Sequence, residues 1–188
     1  MRRLTSFMHI SLDGFTTDAE GSMRWVKVDE ELFDYAGFAT DASDLAIYGR
    51  VTYQMMDAYW PTAGDEPGAS KHDKEHSAWY NAVQKVIVSK TMNDADKANT
   101  TFVSDDVHGQ INALKQQEGK NMVMFGSPGL VHTMMHYNLI DDYWLFINPV
   151  LLGAGKRYFD DINQRIDLKL VENKTFSNGV IGLHYEKA

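Results

Sequence analysis

Short apolar segments alternate along the chain with longer segments whose apolar residues follow a helical spacing. Short apolar runs are typical of strands that are covered on both faces of a sheet. Two further strand candidates flank Ser177-Asn178-Gly179, and the Asn-Gly pair favours a tight antiparallel hairpin. The predicted strands are residues 3–11, 45–49, 85–89, 100–104, 121–126 and 143–153, followed by the hairpin strands 168–176 and 180–187.

The helical segments carry start and stop signals. Asp29 can cap the first helix, and acidic residues follow in the first turn, where the helix dipole favours them. The second helix is expected to stop at Gly119, and the third opens with Ser127 as cap and Pro128 at the first helical position. The predicted helices are residues 29–40, 105–119 and 127–138.

This order of elements predicts an α/β fold with a mostly parallel sheet and antiparallel strands at one side. The length of 188 residues is about that of one domain, and the chain shows no internal repeat, so we expect a single domain over residues 1–188. Residues 61–77 are polar and contain Pro, Gly and charged residues, which predicts a loop with room for a short helix.

Composition narrows the classes of protein and partner. Hydrophobic residues make up 44 % of the chain, enough for a substantial core, yet no apolar run is long enough for a membrane span. The chain has no cysteine, so disulfides are excluded, and we expect a cytoplasmic protein. A net charge of −8 argues against binding nucleic acid through a general basic surface, but it is compatible with a small basic pocket for one phosphate.

The stretch Gly126-Ser127-Pro128-Gly129-Leu130 joins an apolar strand to a helix with very little side chain. A helix N-terminus presents unpaired N–H groups and partial positive charge, and glycines let a phosphate approach them closely. The stretch therefore fits a phosphate-binding turn. An ordinary capped turn between strand and helix is the alternative interpretation.

Two further strand ends favour the phosphate interpretation. One strand ends in Gly49 and is followed by Arg50 and Thr52, and another is followed by Ser89 and Lys90. Ligands of open α/β sheets bind beyond the carboxyl ends of the parallel strands. Arginine suits bidentate phosphate binding and lysine suits a point contact. The coincidence of three such ends predicts a phosphorylated nucleotide.

Two other patterns imitate known sites. Residues 150–157 resemble part of a P-loop, but the first glycine is missing and arginine replaces the required Ser or Thr, so we exclude a P-loop NTPase. His72 and His76 are four residues apart, as are His132 and His136, which is the spacing of some metal ligands on a helix. We interpret all four as solvent-facing histidines and expect no metal.

An ordered set of motifs carries a family resemblance that spans nearly the whole chain. In order, the motifs are SLDGF, GRVTYQMM, VIVSKT, FGSPGLV, LIDDYWLFINPVLLGAGKRYF and TFSNGVIGLHYE. Together they resemble the dihydrofolate-reductase-like superfamily, and most closely the C-terminal reductase domain of the riboflavin-biosynthesis deaminase–reductase and its stand-alone relatives. The resemblance implies a three-layer fold with a mixed sheet of about eight strands between helices, a cleft for NADPH, and often a homodimer.

The resemblance also implies roles for the residues at the three strand ends. Arg50 or Lys90 would meet the 2′-phosphate of NADPH, and the turn after residue 125 would hold the pyrophosphate. The loop of Asp13 and Gly14 would lie near the nicotinamide. The implied cofactor residues are Gly14, Gly49, Arg50, Thr52, Ser89, Lys90, Gly126, Ser127, Gly129 and Leu130.

Substrate residues are less well defined by the resemblance. Folate reductases carry an acid at the start of the first long helix, and this chain has four candidates there. They also carry a threonine on the strand that here reads YWLFINP, which contains no threonine. Water or an acid such as Asp13 or Glu30 would supply the proton, and Trp25 and Trp60 are candidates for the cleft wall. The four acids of the first helix are Asp29, Glu30, Glu31 and Asp34, and helix-dipole stabilisation is the alternative role for each.

Two functions therefore stay open from the sequence. The first is an NADPH-dependent oxidoreductase that transfers a hydride to a small heterocyclic substrate of pyrimidine or pterin type. The second is a non-catalytic nucleotide-binding module on the same fold, because a fold alone does not determine chemistry. In either case we expect a small-molecule partner and a homodimer, with no nucleic-acid or membrane partner.

Overall fold

The computed structural model describes residues 1–93, 97–160, 162 and 164–188. Its helices are α1 (Glu30–Asp41), α2 (Arg50–Asp57), α3 (Trp60–Ala63), α4 (Lys71–Ala82), α5 (Val107–Gln116) and α6 (Pro128–His136). Its strands are β1 (Leu4–Ser11), β2 (Phe15–Thr17), β3 (Ser43–Gly49), β4 (Gln84–Val88), β5 (Thr100–Val103), β6 (Asn121–Phe125), β7 (Asp142–Asn148), β8 (Lys156–Arg157), β9 (Leu168–Thr175) and β10 (Ile181–Lys187).

Eight strands form one sheet in the order β5-β4-β3-β6-β1-β7-β10-β9. The neighbours from β5 to β7 pair in parallel, whereas β7 with β10 and β10 with β9 pair antiparallel. This confirms the predicted α/β fold with a mixed, mostly parallel sheet and a C-terminal hairpin. The parallel pairing brings the carboxyl ends of β1, β3, β4 and β6 to one edge, where the turns into α2 and α6 begin.

Helices cover both faces of the sheet. Ile111 of α5 and Val131 and Met134 of α6 pack into one buried cluster. Leu32 of α1 and Tyr80 of α4 belong to the second cluster, on the other face. Side chains alternate along a strand, so the sheet contributes to both clusters and forms the middle of three layers.

Helix α4 lies largely in the stretch that the sequence predicts as a loop. It starts with a capping box, in which the Ser70 hydroxyl accepts from the Asp73 amide at 3.1 Å and the Asp73 carboxylate accepts from the Ser70 amide at 3.0 Å. Only Ser77 and Tyr80 are fully buried along the helix, so its sequence lacks a clear apolar period. The capping box was the readable signal for this helix.

Several element ends also differ from the predictions. The strand predicted over residues 143–153 ends at Asn148, because Pro149 has no N–H with which to continue the ladder. Helix α5 ends at Gln116, before the predicted stop at Gly119. The antiparallel pair of β2 and β8 was not predicted, since both strands are very short. No helix within the described ranges has the length and apolar character needed to cross a bilayer.

Candidate nucleotide-binding cleft

A cleft with a volume of about 670 Å³ opens at the carboxyl ends of β1, β3 and β6. Its floor is apolar, and its rim is built from the first turns of α2 and α6 and from β2 and β8. It contains seven of the ten residues that the resemblance assigns to the cofactor. These are Gly49, Arg50, Thr52, Gly126, Ser127, Gly129 and Leu130.

A second hollow, of about 740 Å³, lies at the opposite edge of the sheet. It is lined by the starts of β3 and β4 and by α5, and Arg2 and Asp44, which pair with each other, border it. The predicted cofactor residues lie at the other edge of the sheet. The 670 Å³ cleft is therefore the candidate functional site.

Gly49 and Ser127 show how closely the strand ends β3 and β6 approach one another. A Cβ atom on residue 49 would lie 2.3 Å from the Ser127 Oγ and 3.2 Å from the Ser127 Cβ. Gly126 and Ser127 both have a positive φ, of 58° and 60°. This left-handed turn directs the chain from β6 into α6, and it is unfavourable for a residue with a side chain.

Exchanging Gly49 for alanine should therefore lower the free energy of unfolding by about 1–3 kcal/mol through overpacking against Ser127. Adding Ser127→Gly removes both contacting atoms and should restore most of the loss. Urea denaturation of both variants measures the effect. Gly129→Ala is the matched control, because a Cβ there meets nothing within 4 Å. The packing argument fails if Gly49→Ala costs as much stability in the Ser127→Gly background as in the wild type.

The two helices that begin at the cleft lack side-chain caps. Asp29, Ser70 and Asp106 cap α1, α4 and α5 with side-chain hydrogen bonds. Among the described residues, no side chain caps α2 or α6, nor the four-residue α3. The prediction that Ser127 caps α6 is thus correct only for its position, since its hydroxyl makes no capping bond. In the first turn of α6 the Leu130 amide donates to the Ser127 carbonyl at 2.9 Å and Pro128 has no N–H, so among the described residues the Gly129 amide and the first-turn amides of α2 are left for a ligand.

Arg50 adds a cation at this point. It is the exposed first residue of α2, and its guanidinium donates to the Gln54 Oε1 at 3.1 Å. It forms no ion pair with a carboxylate in the part of the chain that the structure describes. Two helix N-termini without side-chain caps and a guanidinium without an ion pair among the described residues together fit a phosphate group. Thr17, also on the rim, has a buried Oγ without a partner among the described residues, which adds a polar contact for a ligand.

A known protein family matches nearly the whole chain. The model of the family described as RibD C-terminal domain matches residues 2–182. The chain belongs to the RibD C-terminal domain family. The chain is 32 % identical to "Uncharacterized protein YyaP" of Bacillus subtilis strain 168, over 98 % of this chain and 94 % of that protein. It is 25 % identical to "Uncharacterized protein YwjB" of the same strain, over 100 % and 99 % of the two chains.

Solved structures share the fold of this chain. A pyrimidine reductase-like protein from Corynebacterium diphtheriae has a TM-score of 0.69 at 13 % identity and covers 100 % of this chain and 92 % of its own. RibD of Acinetobacter baumannii has a TM-score of 0.68 at 15 % identity, covering 100 % and 58 %. Dihydrofolate reductase from Enterococcus faecalis complexed with NADP(H) has a TM-score of 0.64 at 9 % identity, covering 98 % and 96 %. The fold is dihydrofolate-reductase-like, and the chain is a reductase-like domain.

Three of the predicted cofactor residues lie outside the cleft. The Ser89 Oγ accepts from the amides of Thr91 and Met92 at 3.2 and 3.0 Å and so closes its own turn. Lys90 is exposed beside it. Gly14 forms a turn with φ of 85°, and its carbonyl accepts from the Tyr158 amide. All three predicted strand ends therefore meet at the cleft, the third through Val88, whereas the predicted residues Ser89 and Lys90 lie outside its lining.

Asp13 fastens one loop to another. Its carboxylate accepts from the Ser11 hydroxyl at 2.6 Å and from the amides of Leu152 and Gly153 at 3.1 and 2.8 Å. The bond from Ser11, with those from the two amides, lowers the pKa of Asp13 from 3.8 to about 2. An ionised carboxylate with these partners is poorly suited to donating a proton at neutral pH. We therefore do not retain Asp13 as the acid.

Asp13→Asn should lower the melting temperature at pH 7, because the neutral amide accepts more weakly and places a donor against two amide N–H groups. Since the pKa is depressed in the folded protein, the stabilisation is present above pH 3.8 and is lost as the pH falls towards 2. Melting curves from pH 2 to 7 should show the variant and the wild type converging at the acidic end. Asp65→Asn, at an exposed position, is the control. An equal deficit at every pH would contradict this role.

Glu30 is exposed at the first position of α1 and does not line the cleft. The neighbouring acids have partners elsewhere: Asp29 accepts from the Leu32 amide, Glu31 accepts from the Ser177 amide, and Asp34 pairs with Lys71. These contacts favour the structural interpretation of the acidic first turn. Neither predicted acid is therefore placed at the cleft.

The two predicted tryptophans also lie outside the lining. The Trp25 Nε1 donates to the Ser22 carbonyl at 3.1 Å. The Trp60 Nε1 lies 3.0 Å from the sulfur of Met56, which does line the cleft. Trp60 thus supports the wall from behind, whereas Trp25 packs within its own loop.

The prediction that all four paired histidines face solvent is wrong for His72 and His76. The His72 ring stacks on Phe33 at 3.9 Å, and the His76 ring lies 4.0 Å from Trp60. Burial lowers the pKa of both, that of His76 to about 3. The physical reason is that α1 and α3 pack against α4 on the side where Phe33 and Trp60 cover these two rings.

The other histidine pair is split. The ring of His132, half-buried, donates from Nε2 to the Tyr158 carbonyl at 2.9 Å, so this residue too departs from the prediction. His136 is exposed, as predicted. The two rings therefore have different surroundings although they lie on one helix.

Sequence reasoning missed several residues of the cleft. Met8 and His9 come from β1, Met55 from α2, and Lys156 from β8. His9 follows Met8 in a strand whose alternation places neighbours on opposite faces, so the only signal was its position near the carboxyl end of a predicted strand. Lys156 was passed over together with the P-loop-like stretch. Its approach depends on the pairing of β8 with β2, which leaves no local signature.

Proposed function

We propose that this RibD C-terminal domain is an NADPH-dependent reductase that transfers a hydride to a small heterocyclic substrate of pyrimidine or pterin type. The observation that supports it is the convergence of the uncapped N-termini of α2 and α6 on one apolar cleft, with Arg50 at the rim. Two positively polarised helix ends beside the Arg50 guanidinium, which has no ion pair among the described residues, suit a ligand with several phosphates. The apolar floor suits a flat ring.

The residues of the cleft would divide the work. Gly126 and Gly129 leave bare backbone on which a pyrophosphate can lie, and Arg50 would bind the 2′-phosphate. Met8 and Phe125 form an apolar floor against which the reacting ring would pack. Bound NADPH supplies the hydride. Because no Asp or Glu lines the cleft among the described residues, we propose that water supplies the proton.

The same lack of a carboxylate favours one alternative, a non-catalytic module that binds a nucleotide without reducing a substrate. A reductase without a proton donor in its cleft depends on solvent access, whereas a binding module needs no donor. The two functions differ in a single observable, which is the consumption of NADPH.

Calorimetric titration with NADPH tests the binding step, and NADPH absorbance in the presence of candidate acceptors tests the reaction. The panel comprises dihydrofolate, a ribosylaminopyrimidine and a set of carbonyl and imine compounds. Binding with turnover of any acceptor supports the reductase. Binding without turnover supports the module, and absence of NADPH binding contradicts both.

We further propose that two copies of the chain associate through the C-terminal hairpin. Strand β9 is an edge of the eight-stranded sheet, and Leu170, Val171 and Ile181 on the hairpin are exposed although apolar. Exposed apolar side chains on an edge strand are typical of a surface that another chain covers. Sedimentation velocity should give a dimer for the wild type and a monomer for Val171→Lys. A monomeric wild type would contradict the proposal.

We also propose a cytoplasmic protein with small-molecule partners and no nucleic-acid or membrane partner. The net charge of −8 supports this for nucleic acid, because a phosphate backbone would be repelled. Gel retardation with labelled DNA and RNA, vesicle co-sedimentation and imaging of a fluorescent fusion are the tests. A retarded complex at physiological salt would overturn the first point.

A further inference from the structure

His9 lies in the floor of the cleft with its ring held on two sides. It pairs in register with Phe146 of β7, and the two rings stack at 5.0 Å with an interplanar angle of 27°. The ring of Phe7 meets it edge-on at 5.9 Å. Two aromatic neighbours fix the plane of the imidazole, so the directions in which its nitrogens point are also fixed.

The surroundings of His9 determine which nitrogen carries the proton. The Asn148 Oδ1 accepts from the Lys27 amide at 2.8 Å, which orients the side-chain amide. Its Nδ2 donates to the Phe146 carbonyl at 3.1 Å, and it lies 3.5 Å from both the His9 Nδ1 and the Ile10 carbonyl oxygen. Because an amide nitrogen only donates, the His9 Nδ1 faces it with a lone pair. The proton of the neutral ring is therefore on Nε2.

The Nε2–H group is available to a ligand. Within the described ranges it has no hydrogen-bond partner, and His9 lines the cleft. Burial lowers the pKa of His9 to about 4, so the ring is neutral at pH 7. The charged residues that line the cleft, Arg50 and Lys156, are both cations and would further oppose a second proton on the ring. His9 thus offers one fixed N–H donor in apolar surroundings.

A donor in this position distinguishes two kinds of heterocycle. A ring edge with a carbonyl oxygen or an unprotonated nitrogen can accept from Nε2–H. A protonated amidine edge, as in a cationic 2-aminopterin, presents only N–H donors, which require a carboxylate, and the described lining has none. Placing such an edge against Nε2–H would leave buried donors without partners, which is costly.

We propose that His9 is a substrate-binding residue whose Nε2–H group binds an acceptor atom of the heterocycle and so selects acceptor edges over protonated amidine edges. The proposal rests on the proposed function for the identity of the ligand class. His9 remains neutral throughout and is not the proton donor. Its hydrogen bond orients the ring and withdraws electron density from it, which favours addition of a hydride.

The test uses the full chain and two probes of similar size, 5-aminouracil with carbonyl edges and 2,4-diaminopyrimidine, at a pH that protonates its amidine edge and leaves His9 neutral. Nitrogen-15 NMR of the imidazoles should show the His9 proton on Nε2 in the free protein and a shift of that nitrogen on adding 5-aminouracil. His9→Phe keeps the stacked ring and removes the donor. It should weaken 5-aminouracil by roughly three- to tenfold, the range of one neutral hydrogen bond.

The controls separate this proposal from the proposed function. His136→Phe makes the same exchange at an exposed position and should leave the affinity unchanged. NADPH affinity is measured in parallel: its absence contradicts the reductase, while His9-dependent binding of 5-aminouracil would still support the role of His9. A proton on Nδ1, tighter binding of 2,4-diaminopyrimidine, equal affinity of wild type and His9→Phe, or no binding of either probe would overturn it.

Discussion

Replacing Arg50 with alanine should weaken NADPH binding by roughly ten- to a hundredfold and leave NADH nearly unaffected, because a hydrogen bond to a charged group contributes about 1.5–3 kcal/mol. Arg50 lies on the cleft rim at the start of α2, and its guanidinium contacts only the Gln54 side chain of the same helix among the described residues. The two cofactors differ in the 2′-phosphate, which carries close to two negative charges. The acidic surface of the protein offers little attraction to replace a lost cation.

Lys90→Ala is the matched control for this experiment. Both cations follow a parallel strand, and the family resemblance implies a phosphate contact for either one. The structure, however, places Lys90 outside the cleft lining. Calorimetry at low salt should show a loss for Arg50→Ala only. Equal losses for NADPH and NADH would assign Arg50 to the shared pyrophosphate, and a loss for Lys90→Ala alone would place the nucleotide elsewhere.

Gly155→Ala should be the most destabilising single exchange in the loop between β7 and β8. A Cβ on residue 155 would lie 1.8 Å from the Thr17 carbonyl oxygen and 2.9 Å from its carbon, and φ is 136°. Overpacking against backbone and strain at this φ together should cost about 3–5 kcal/mol of unfolding free energy. Relief requires β8 to move away from β2, which would open the wall that Thr17 and Lys156 form.

Gly153→Ala separates the clash from the strain. Gly153 also has a positive φ, of 71°, but a Cβ there meets nothing within 4 Å. Urea denaturation should therefore show a much smaller loss than for Gly155→Ala. Equal losses for the two variants would mean that strain alone acts at both positions. Gly155 of this P-loop-like stretch thus serves close packing against Thr17, whereas Gly153 serves a left-handed turn.

The sequence alone determined the elements that are fixed by local physics. The apolar runs located the strands of the main sheet, Asp29 and Pro128 marked the starts of two helices, and Asn178-Gly179 marked the hairpin. Periodicity, capping and turn conformation depend on residues a few positions apart, so a single sequence contains them. Most of the polar helix α4 was predicted as a loop, because half-buried rings of His72 and His76 replace aliphatic residues on its inner face.

Only the tertiary structure decided which residues share the cleft. Gly49 and Ser127 touch because β3 and β6 are neighbours in the sheet, an order that neither segment encodes locally. Asp13 holds two loops together because the amide of Leu152, distant in sequence, donates to its carboxylate. Lys156 lies at the rim because β8 pairs with β2. The Asn148 amide, on the adjacent strand β7, faces the His9 Nδ1 and so leaves the ring proton on Nε2. Hydrogen-bond partners from distant parts of the chain set charge and orientation, so chemistry at the site follows from strand order rather than from sequence spacing.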